Sequence, residues 1–214
     1  QQVLARLARG ERVAYVSDAG TPVVSDPGAA LVAAAQAAGH ATVPLPGACS
    51  VLAALSVAGD TEAHGFAFVG FLPSKGGERD SALAALTRRQ TESLVLFEAP
   101  HRIADLLDAL AAQMPARRLT LGRELTKQFE TVATMIAAQA PAWLAADANR
   151  SRGEFVLVLH AQRADTPPDG ALDAGSERTL RALLAELPLK QAVALAATLT
   201  DAPRNRLYEC ALAW

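Results

Sequence analysis

One loop of this sequence is unusually rich in residues that can surround a small ligand. It runs from Ser17 to Gly28 and consists mostly of Gly, Pro, Ser and Asp. An apolar run that predicts a buried strand, Val13–Val16, precedes it, and a run that predicts a helix, Ala29–Ala38, follows. Because open α/β folds bind ligands at the carboxyl ends of their parallel strands, we expect this loop to contribute to a binding site.

The glycines and aspartates of this loop can be interpreted in two ways. Gly20 and Gly28 allow a close approach of the backbone, and Asp18 and Asp26 offer acceptors for a ligand hydroxyl or amine. The same aspartates could instead cap the loop and the helix, with the glycines in ordinary turns. No Lys stands beside the glycines and no GxGxxG pattern is present, so a plain nucleotide-phosphate cradle is disfavoured.

A second loop of similar composition, Pro44–Ser50, also lies between a predicted strand, Ala41–Leu45, and a predicted helix. Ser50 is expected to be the N-cap of that helix. Cys49 has no catalytic partners in the pattern around it, so we interpret it as a small buried residue rather than a nucleophile. Both loops are expected at the same edge of a sheet.

Two charged clusters follow predicted strands in the second half of the chain. Glu98–Arg102 supplies a carboxylate, an imidazole and a guanidinium, and Gly122–Lys127 supplies a carboxylate and two cations. Either cluster could be a solvated rim, and His101 could be a surface histidine. Because these two charged clusters lie in one half of the chain and the two Gly/Pro loops in the other, the sequence predicts a cleft between two domains. Gly153 is expected to bring the backbone close to that cleft.

The segment Pro73–Arg79 is glycine-rich and basic and directly follows a predicted strand. It is interpreted as a mobile loop that closes over a polyanion, with Lys75 and Arg79 as its cations. The other paired basic residues are expected on solvated faces.

The hydrophobic pattern predicts α/β architecture throughout. Strands alternate with helices in the first half, which is typical of a parallel sheet. The second half has five predicted strands and few helices, which indicates a mixed sheet; the strands are Phe66–Phe71, Ser93–Phe97, Leu119–Gly122, Phe129–Thr134 and Phe155–His160. Three helices are predicted beyond them: Glu177–Glu186, Leu189–Thr198 and Arg204–Trp214.

These elements predict four segments. Residues 1–64 form the remainder of an amino-terminal α/β domain with an incomplete parallel sheet, and residues 65–163 form a mixed α/β domain. Residues 164–175 are a linker, and residues 176–214 are a small helical tail of helix-turn-helix type.

Composition excludes several classes of protein. The chain has 214 residues, 51% of them apolar, and a formal net charge of −2, which argues against global disorder and against binding nucleic acid through bulk charge. Two cysteines fit a reducing compartment. No membrane span and no HxxxH or CxxC metal motif is found. The chain begins with Gln1 inside a predicted helix and is interpreted as a fragment.

Taken in order, these motifs resemble the tetrapyrrole-methylase-like family of S-adenosylmethionine-dependent enzymes, over essentially the whole chain. The motifs are Ser17–Gly28, Pro46-Gly47, Gly70–Pro73, Glu98–Arg102, Gly122–Lys127 and Gly153-Glu154. The family also has turns of sequence Gly-Asn-Leu and Glu-Asp-Thr-Arg; neither is present, and we expect this chain to begin after them.

The resemblance implies two α/β domains with S-adenosylmethionine between them, and usually a cytoplasmic homodimer. It implies methylation of a cytidine ribose 2′-hydroxyl in small-subunit ribosomal RNA, with that RNA or the 30S subunit as partner. The implied cofactor residues are Asp18, Ala19, Gly20, Thr21, Pro22, Asp26, Gly28, Ser50, Phe97, Ala99, Leu125 and Thr126. The implied substrate residues are Lys75, Arg79, Arg102 and Arg123.

The cofactor carries an activated methyl group, so the remaining chemical task is to take the proton of a hydroxyl. Glu98, His101 and Lys127, together with Glu124, are the candidate catalytic residues, and the sequence does not choose among them. Two alternatives stay open: a methylase acting on a porphyrinoid, and a non-catalytic RNA-binding module built on the helical tail.

Overall fold

The fold is described from a computed structural model. It describes residues 1–74, 76–162, 172, 174–200 and 202–214. The chain forms two compact units, Gln1–Gln162 and Arg163–Trp214. The expected further division of the first unit near residue 64 stays a prediction.

The first unit begins with three helices joined by irregular segments. They are α1 (Gln2–Ala8), α2 (Ala29–Ala37) and α3 (Ser50–Ala58). The prediction of strands at Val13–Val16 and Ala41–Leu45 is wrong, because neither segment pairs with a strand among the described residues. A strand needs a neighbour to satisfy its backbone groups, and apolar residues alone do not supply one.

A five-stranded mixed sheet forms the centre of this unit. Its strands are β1 (Phe66–Phe71), β2 (Ser93–Glu98), β3 (Arg118–Arg123), β4 (Thr131–Ile136) and β5 (Phe155–Leu159). The order across the sheet is β1-β2-β5-β3-β4, with β1 and β2 parallel and every other neighbouring pair antiparallel. The predicted mixed sheet of five strands is confirmed; only β4 starts later than expected, because Phe129 lies in the preceding turn.

The register of the sheet brings several loops to one edge. Phe71 at the end of β1 pairs with Phe97, and Phe155 at the start of β5 pairs with both Glu98 and Arg123. The loops that follow β1, β2 and β3, and the loop that precedes β5, therefore emerge together. We call this side the upper edge of the sheet.

One face of the sheet is covered by α4 (Gly76–Thr87), α5 (Ile103–Gln113) and α6 (Ala140–Ala145). The core on this face is mainly leucine, with contributions from every covering helix and from β2, β3 and β5: Leu72, Leu83, Leu86, Leu94, Leu96, Leu106, Leu107, Leu110, Leu119, Leu121, Leu144, Leu157 and Leu159. Burial of this apolar area is the main force that holds the helices to the sheet.

Helix α3 covers part of the opposite face. Val51, Ala54 and Ala58 pack against Val95, Val156 and Val158. Small side chains on the helix allow it to lie close to the β-branched side chains below. With both of its faces covered, β5 is buried along its whole length and reads as a continuous apolar run.

The loop predicted for Pro73–Arg79 is wrong from Gly76 onward, because α4 begins there. Leu83 and Leu86 anchor this helix in the core, and their burial outweighs the two glycines at its start. The loop prediction failed because glycines and charges dominate the first turns and hide the apolar spacing further along.

A buried polar network lies at the end of the sheet opposite the upper edge. Asp60, after α3, accepts hydrogen bonds from Ser93 Oγ and Ala161 N, each at 2.6 Å. Thr120 Oγ1 lies 2.8 Å from His160 Nε2. Arg117 donates to three backbone carbonyls and is 1% exposed, and its burial lowers its pKa. This network ties α3 to the central strands.

The second unit is a bundle of α7 (Ala174–Glu186), α8 (Leu189–Leu199) and α9 (Arg204–Ala213). Its core is formed by Leu180, Val193, Ala196 and Leu207. The predicted linker lies almost entirely outside the described residues, and its last residues belong to α7. Within the part of the chain that the structure describes, no helix is long and apolar enough to cross a membrane.

Candidate active site

The upper edge of the sheet collects most of the charged residues that the sequence marked. Glu98 ends β2, Arg123 ends β3, and Glu154 immediately precedes β5. His101 and Arg102 lie in the turn between β2 and α5. The structure thus brings the two charged clusters to one place.

Glu98 and Arg102 form an ion pair within this edge. Arg102 Nε lies 3.0 Å from Glu98 Oε1, and the Glu98 side chain has no exposed surface. Arg102 Nη2 also donates to the carbonyl oxygen of Leu72 at 2.6 Å. The pair therefore ties the end of β2 to the start of α5 and to the loop after β1. A carboxylate engaged in this way is poorly suited to take a proton from a substrate.

Lys127 is held between two carboxylates. Its Nζ lies 3.0 Å from Glu124 Oε1 and 2.9 Å from Glu154 Oε2. The hydrogen bonds to Glu154 and Glu124 raise the pKa of Lys127. A hydrogen bond from the backbone N–H of Glu154, together with Lys127, lowers the pKa of Glu124. Lys127 is therefore a fixed cation at the edge rather than a base.

The turn that carries Lys127 has an uncommon backbone. Glu124 and Thr126 have φ values of 49° and 66°, in the left-handed region that favours glycine. Gly153 lies directly against this turn: a Cβ there would stand 2.6 Å from Glu124 Cδ and 2.7 Å from Oε1. Only glycine lets β5 approach the turn this closely.

Beneath the turn lies a small apolar surface. Leu125 and Phe97 pack with Cys49 against the α3 cluster. The Phe97 ring is half-buried and makes edge contacts with Phe68 and Phe71, with centroids 4.9 and 5.7 Å away. Phe97 and Leu125, both expected to line a cofactor site, therefore pack in the same cluster. Two further expected residues are near them in sequence: Ser50 follows Cys49, and Ala99 lies two residues after Phe97.

The two Gly/Pro loops that precede α2 and α3 are in contact, although the strands expected before them do not form among the described residues. Thr21 Oγ1 donates to the carbonyl oxygen of Ala48 at 3.0 Å, which joins the first loop to the start of α3. Tyr15 donates to the carbonyl oxygen of Pro27 at 2.7 Å, and its ring lies over Gly28, where a Cβ would be only 2.7 Å from Cε1. One bond thus holds the loop to the start of α3 through Thr21, and the other joins its two ends.

The capping interpretation of the two aspartates is wrong for α2, whose N-cap is Gly28 with no side-chain capping bond. Among the described residues, neither Asp18 nor Asp26 makes a hydrogen bond or an ion pair, and Asp18 is exposed, as are Ala19 and Gly20. Pro22, which lies between the two aspartates in the sequence, is half-buried. Ser50 is also not the N-cap of α3: Cys49 takes that position, one residue earlier.

The three arginines expected to contact substrate, Arg79, Arg102 and Arg123, have other partners in the structure. Arg79 is 7% exposed within α4 and donates to the carbonyl oxygen of Ser74 at 3.1 Å. Arg123 donates to the carbonyl oxygens of Arg152 and Phe129, at 2.5 and 3.0 Å. Lys75 lies outside the described residues. Roles of these residues in binding substrate stay predictions.

Two polar residues at this edge escaped the sequence reading as site residues. Glu154 holds Lys127, and Glu130 Oε2 accepts a hydrogen bond from the backbone N–H of Thr126 at 2.5 Å. The Gly153-Glu154 pair was a usable signal, but nothing in the spacing of Glu130 indicates which amide it faces. Within the described part of the chain, no cluster of three His, Cys, Asp or Glu side chains could hold a metal ion.

Comparison with known proteins gives this site its class. Residues 1–141 match the family of tetrapyrrole (corrin/porphyrin) methylases, and residues 170–214 match a family described as the RsmI C-terminal HTH domain. The chain belongs to the tetrapyrrole methylase family of S-adenosylmethionine-dependent methyltransferases.

Three similar proteins carry the same name. The ribosomal RNA small subunit methyltransferase I of Pseudomonas aeruginosa is 46% identical over 98% of this chain and 73% of that protein. The protein of that name from Neisseria meningitidis serogroup B is 45% identical over 100% of this chain and 72% of its own length. The protein of that name from Escherichia coli O157:H7 is 41% identical over 99% and 73%.

Solved structures agree on the fold. The methyltransferase CobJ aligns with a TM-score of 0.54 at 23% identity, over 75% of this chain and 69% of that one. Uroporphyrin-III C-methyltransferase from Thermus thermophilus, solved with S-adenosylhomocysteine, aligns with a TM-score of 0.51 at 22% identity, over 74% and 70%. At this identity the likeness concerns the fold alone.

Residues of the first Gly/Pro loop and of the upper edge fit S-adenosylmethionine by their chemistry. The cofactor has an ammonium group and ribose hydroxyls that need acceptors, and the carboxylates of Asp18 and Asp26 are without partners among the described residues. The half-buried Phe97 and Leu125 offer apolar surface of the kind an adenine ring needs.

Proposed function

We propose that this chain methylates the ribose 2′-hydroxyl of a cytidine in small-subunit ribosomal RNA, using S-adenosylmethionine. The proposal rests on the contact between the two Gly/Pro loops and on the packing of the second loop against the upper edge of the sheet. The loop joined through Thr21 and Ala48 leads to Phe97 and Leu125, next to the fixed cation of Lys127. The names of the relatives point to RNA as the acceptor.

For the cofactor we propose the first loop together with the apolar surface below it. Asp18 and Asp26 would accept hydrogen bonds from its ammonium and hydroxyl groups, and Thr21 and Ser50 would hold the loop and helix around them. Phe97, Ala99, Leu125 and Thr126 would face the adenine side. When bound, the cofactor supplies an electrophilic methyl group that requires no further activation.

His101 is the proposed acceptor of the hydroxyl proton. Glu98 is closed within its ion pair, and Lys127 is held protonated by two carboxylates. Glu124 has a lowered pKa, so it is a weak base. His101 is exposed in the turn after β2 and has no hydrogen-bond partner among the described residues, so its imidazole is accessible to a substrate hydroxyl.

The remaining residues of the edge are proposed to orient the RNA. Lys127 is half-exposed and offers a fixed positive charge to a phosphate or a ribose oxygen. Arg102 and Glu98 act through position, because they fix the turn that carries His101. In this proposal the 30S subunit is the source of the RNA, the enzyme works in the cytoplasm, and two copies form a homodimer.

The test is methyl transfer by this chain from radiolabelled S-adenosylmethionine to 30S subunits, to protein-free small-subunit RNA and to a porphyrinoid. We expect label in RNA, at a ribose 2′-oxygen of cytidine, and none in the porphyrinoid. Transfer to the porphyrinoid alone would favour the tetrapyrrole alternative.

Titration of S-adenosylhomocysteine, followed by calorimetry, tests the cofactor part separately. We expect binding to the chain, and weaker binding to the Asp18→Ala variant. RNA binding without any binding of S-adenosylhomocysteine would overturn the enzyme proposal in favour of a non-catalytic RNA-binding module.

A further inference from the structure

Several hydrogen bonds hold the turn that carries Lys127. Glu124 N–H donates to the carbonyl oxygen of Glu154 at 3.0 Å, and Lys127 N–H donates to that of Glu124, also at 3.0 Å. Glu154 N–H donates to Glu124 Oε1 at 2.8 Å. A turn with two non-glycine residues at positive φ persists only where surrounding contacts over-determine it.

Glu130 contacts the backbone of Thr126, which has the larger of the two positive φ values in the turn, 66°. Its Oε2 accepts the hydrogen bond of Thr126 N–H, while its own N–H donates to the carbonyl oxygen of Lys127 at 3.1 Å. The carboxylate therefore closes the turn from the β4 side. A charged acceptor makes such a bond stronger than a neutral one does.

We propose that Glu130 is a positioning residue for the methyl-transfer site. By fixing Thr126 in the left-handed region, it turns Leu125 down against Phe97 and leaves Lys127 between Glu124 and Glu154. Without it, Thr126 would relax toward the more favourable negative φ, and the apolar cofactor surface and the fixed cation would separate. Among the described residues, the Glu130 carboxylate makes no hydrogen bond or ion pair with Lys127 Nζ, so it acts through the backbone of the turn. This inference rests on the proposed function.

The geometry predicts a graded response at this position. Glu130→Ala removes the acceptor and Glu130→Gln keeps a neutral one, so the second variant should restore part of the loss. We expect Glu130→Ala to weaken S-adenosylhomocysteine binding about tenfold, the effect of losing one charge-assisted hydrogen bond. Because Glu130 is exposed, the unfolding temperature should change little. Asp108→Ala is the matched control, since Asp108 is an exposed carboxylate on α5 without a partner among the described residues.

The experiment combines calorimetry with the amide spectrum of the full chain. The amide proton of Thr126 should resonate downfield in the unchanged protein, move upfield in Glu130→Ala and take an intermediate position in Glu130→Gln. Steady-state methylation of RNA should show a raised KM for S-adenosylmethionine with a smaller change in kcat. Asp108→Ala should leave the Thr126 amide, the affinity and the KM unchanged.

The outcomes separate this inference from the proposed function. An unmoved Thr126 amide in Glu130→Ala would overturn the hydrogen bond and the positioning role, whatever the enzyme does. A moved amide with unchanged affinity and KM would overturn the positioning role alone. Failure of the unchanged chain to bind S-adenosylhomocysteine would instead count against the proposed function.

Discussion

At the scale of single residues, the close approach of Gly153 to Glu124 is the contact most sensitive to a small change. Gly153 has φ 89°, and a Cβ would overlap the Glu124 side chain. We expect Gly153→Ala to lower the free energy of unfolding by about 1–3 kcal/mol, through backbone strain and overlap together. It should also weaken S-adenosylhomocysteine binding, because Glu124 must move away from Lys127.

Gly39→Ala provides the matched control for this substitution. Gly39 has φ 79°, yet nothing lies within 4 Å of a Cβ placed there. It therefore carries the cost of the left-handed backbone without the overlap. Urea unfolding and calorimetry on both variants isolate the contact with Glu124. Equal losses of stability, with equal affinities, would contradict the account of a close approach at Gly153.

A second prediction at this scale concerns His101. If its imidazole takes the hydroxyl proton, His101→Ala should lower kcat for RNA methylation by about 10²–10⁴-fold, the usual contribution of a general base. Affinity for S-adenosylhomocysteine should stay the same, because His101 lies in the turn after β2 and not among the apolar residues of the edge. Single-turnover methylation with radiolabelled cofactor measures the effect. His64→Ala, at another exposed histidine, should leave kcat unchanged; a similar kcat for both variants would exclude His101 as the base.

At the scale of elements, the Glu98–Arg102 pair joins a strand to the helix that follows it. Glu98→Gln removes one charge of a buried pair and leaves Arg102 without its counter-ion. We expect a loss of about 3 kcal/mol in the free energy of unfolding, because an unpaired buried charge is costly. Glu92→Gln breaks the exposed pair of Arg89 and Glu92 and should cost less than about 1 kcal/mol. Urea denaturation of both variants gives the comparison, and similar losses would contradict the role of the buried pair.

A comparison of the predicted with the observed helices and strands shows how much of this fold the sequence alone predicts. The strands of the mixed sheet were predictable because their apolar and β-branched runs stand between clear turn signals, as in Phe155–Leu159. Val13–Val16 has the same pattern but no neighbouring strand among the described residues, and pairing is a property of the whole fold. Helix α4 was missed because its stabilising contacts, at Leu83 and Leu86, come late in the segment.

The candidate site was predictable to a similar degree. The two charged clusters were found because each directly follows a strand, and the sheet register brings Glu98 and Arg123 to one edge. The sequence could not reveal that Glu98 is closed within an ion pair, since that depends on the carbonyl oxygen of Leu72 holding Arg102 in place. The role of Glu130 depends in the same way on a turn conformation that no residue type announces.

At the scale of the whole molecule, the polar network opposite the site links stability to pH. Burial lowers the pKa of His160 below its ordinary value of 6.5, although Asp60 acts in the opposite direction. Below that value the unfolded chain binds a proton that the folded protein does not, so acid favours unfolding. Hydrogen bonds from Ser93 and Ala161 overcome the effect of burial and lower the pKa of Asp60. Asp60 therefore loses its stabilising contribution only at lower pH.

These directions predict how the free energy of unfolding depends on pH in the mildly acidic range. It should fall as pH decreases from about 7.5 to about 5, by up to about 1.4 kcal/mol for each pH unit from His160 once pH is below 6.5. His160→Gln keeps an amide group near Thr120 but cannot titrate, so its stability should change less over the same range. His64→Gln, at an exposed histidine, should keep the slope of the unchanged protein. Urea denaturation at a series of pH values measures all three slopes, and an equal slope in His160→Gln would mean that the buried imidazole is not the group that couples folding to protons.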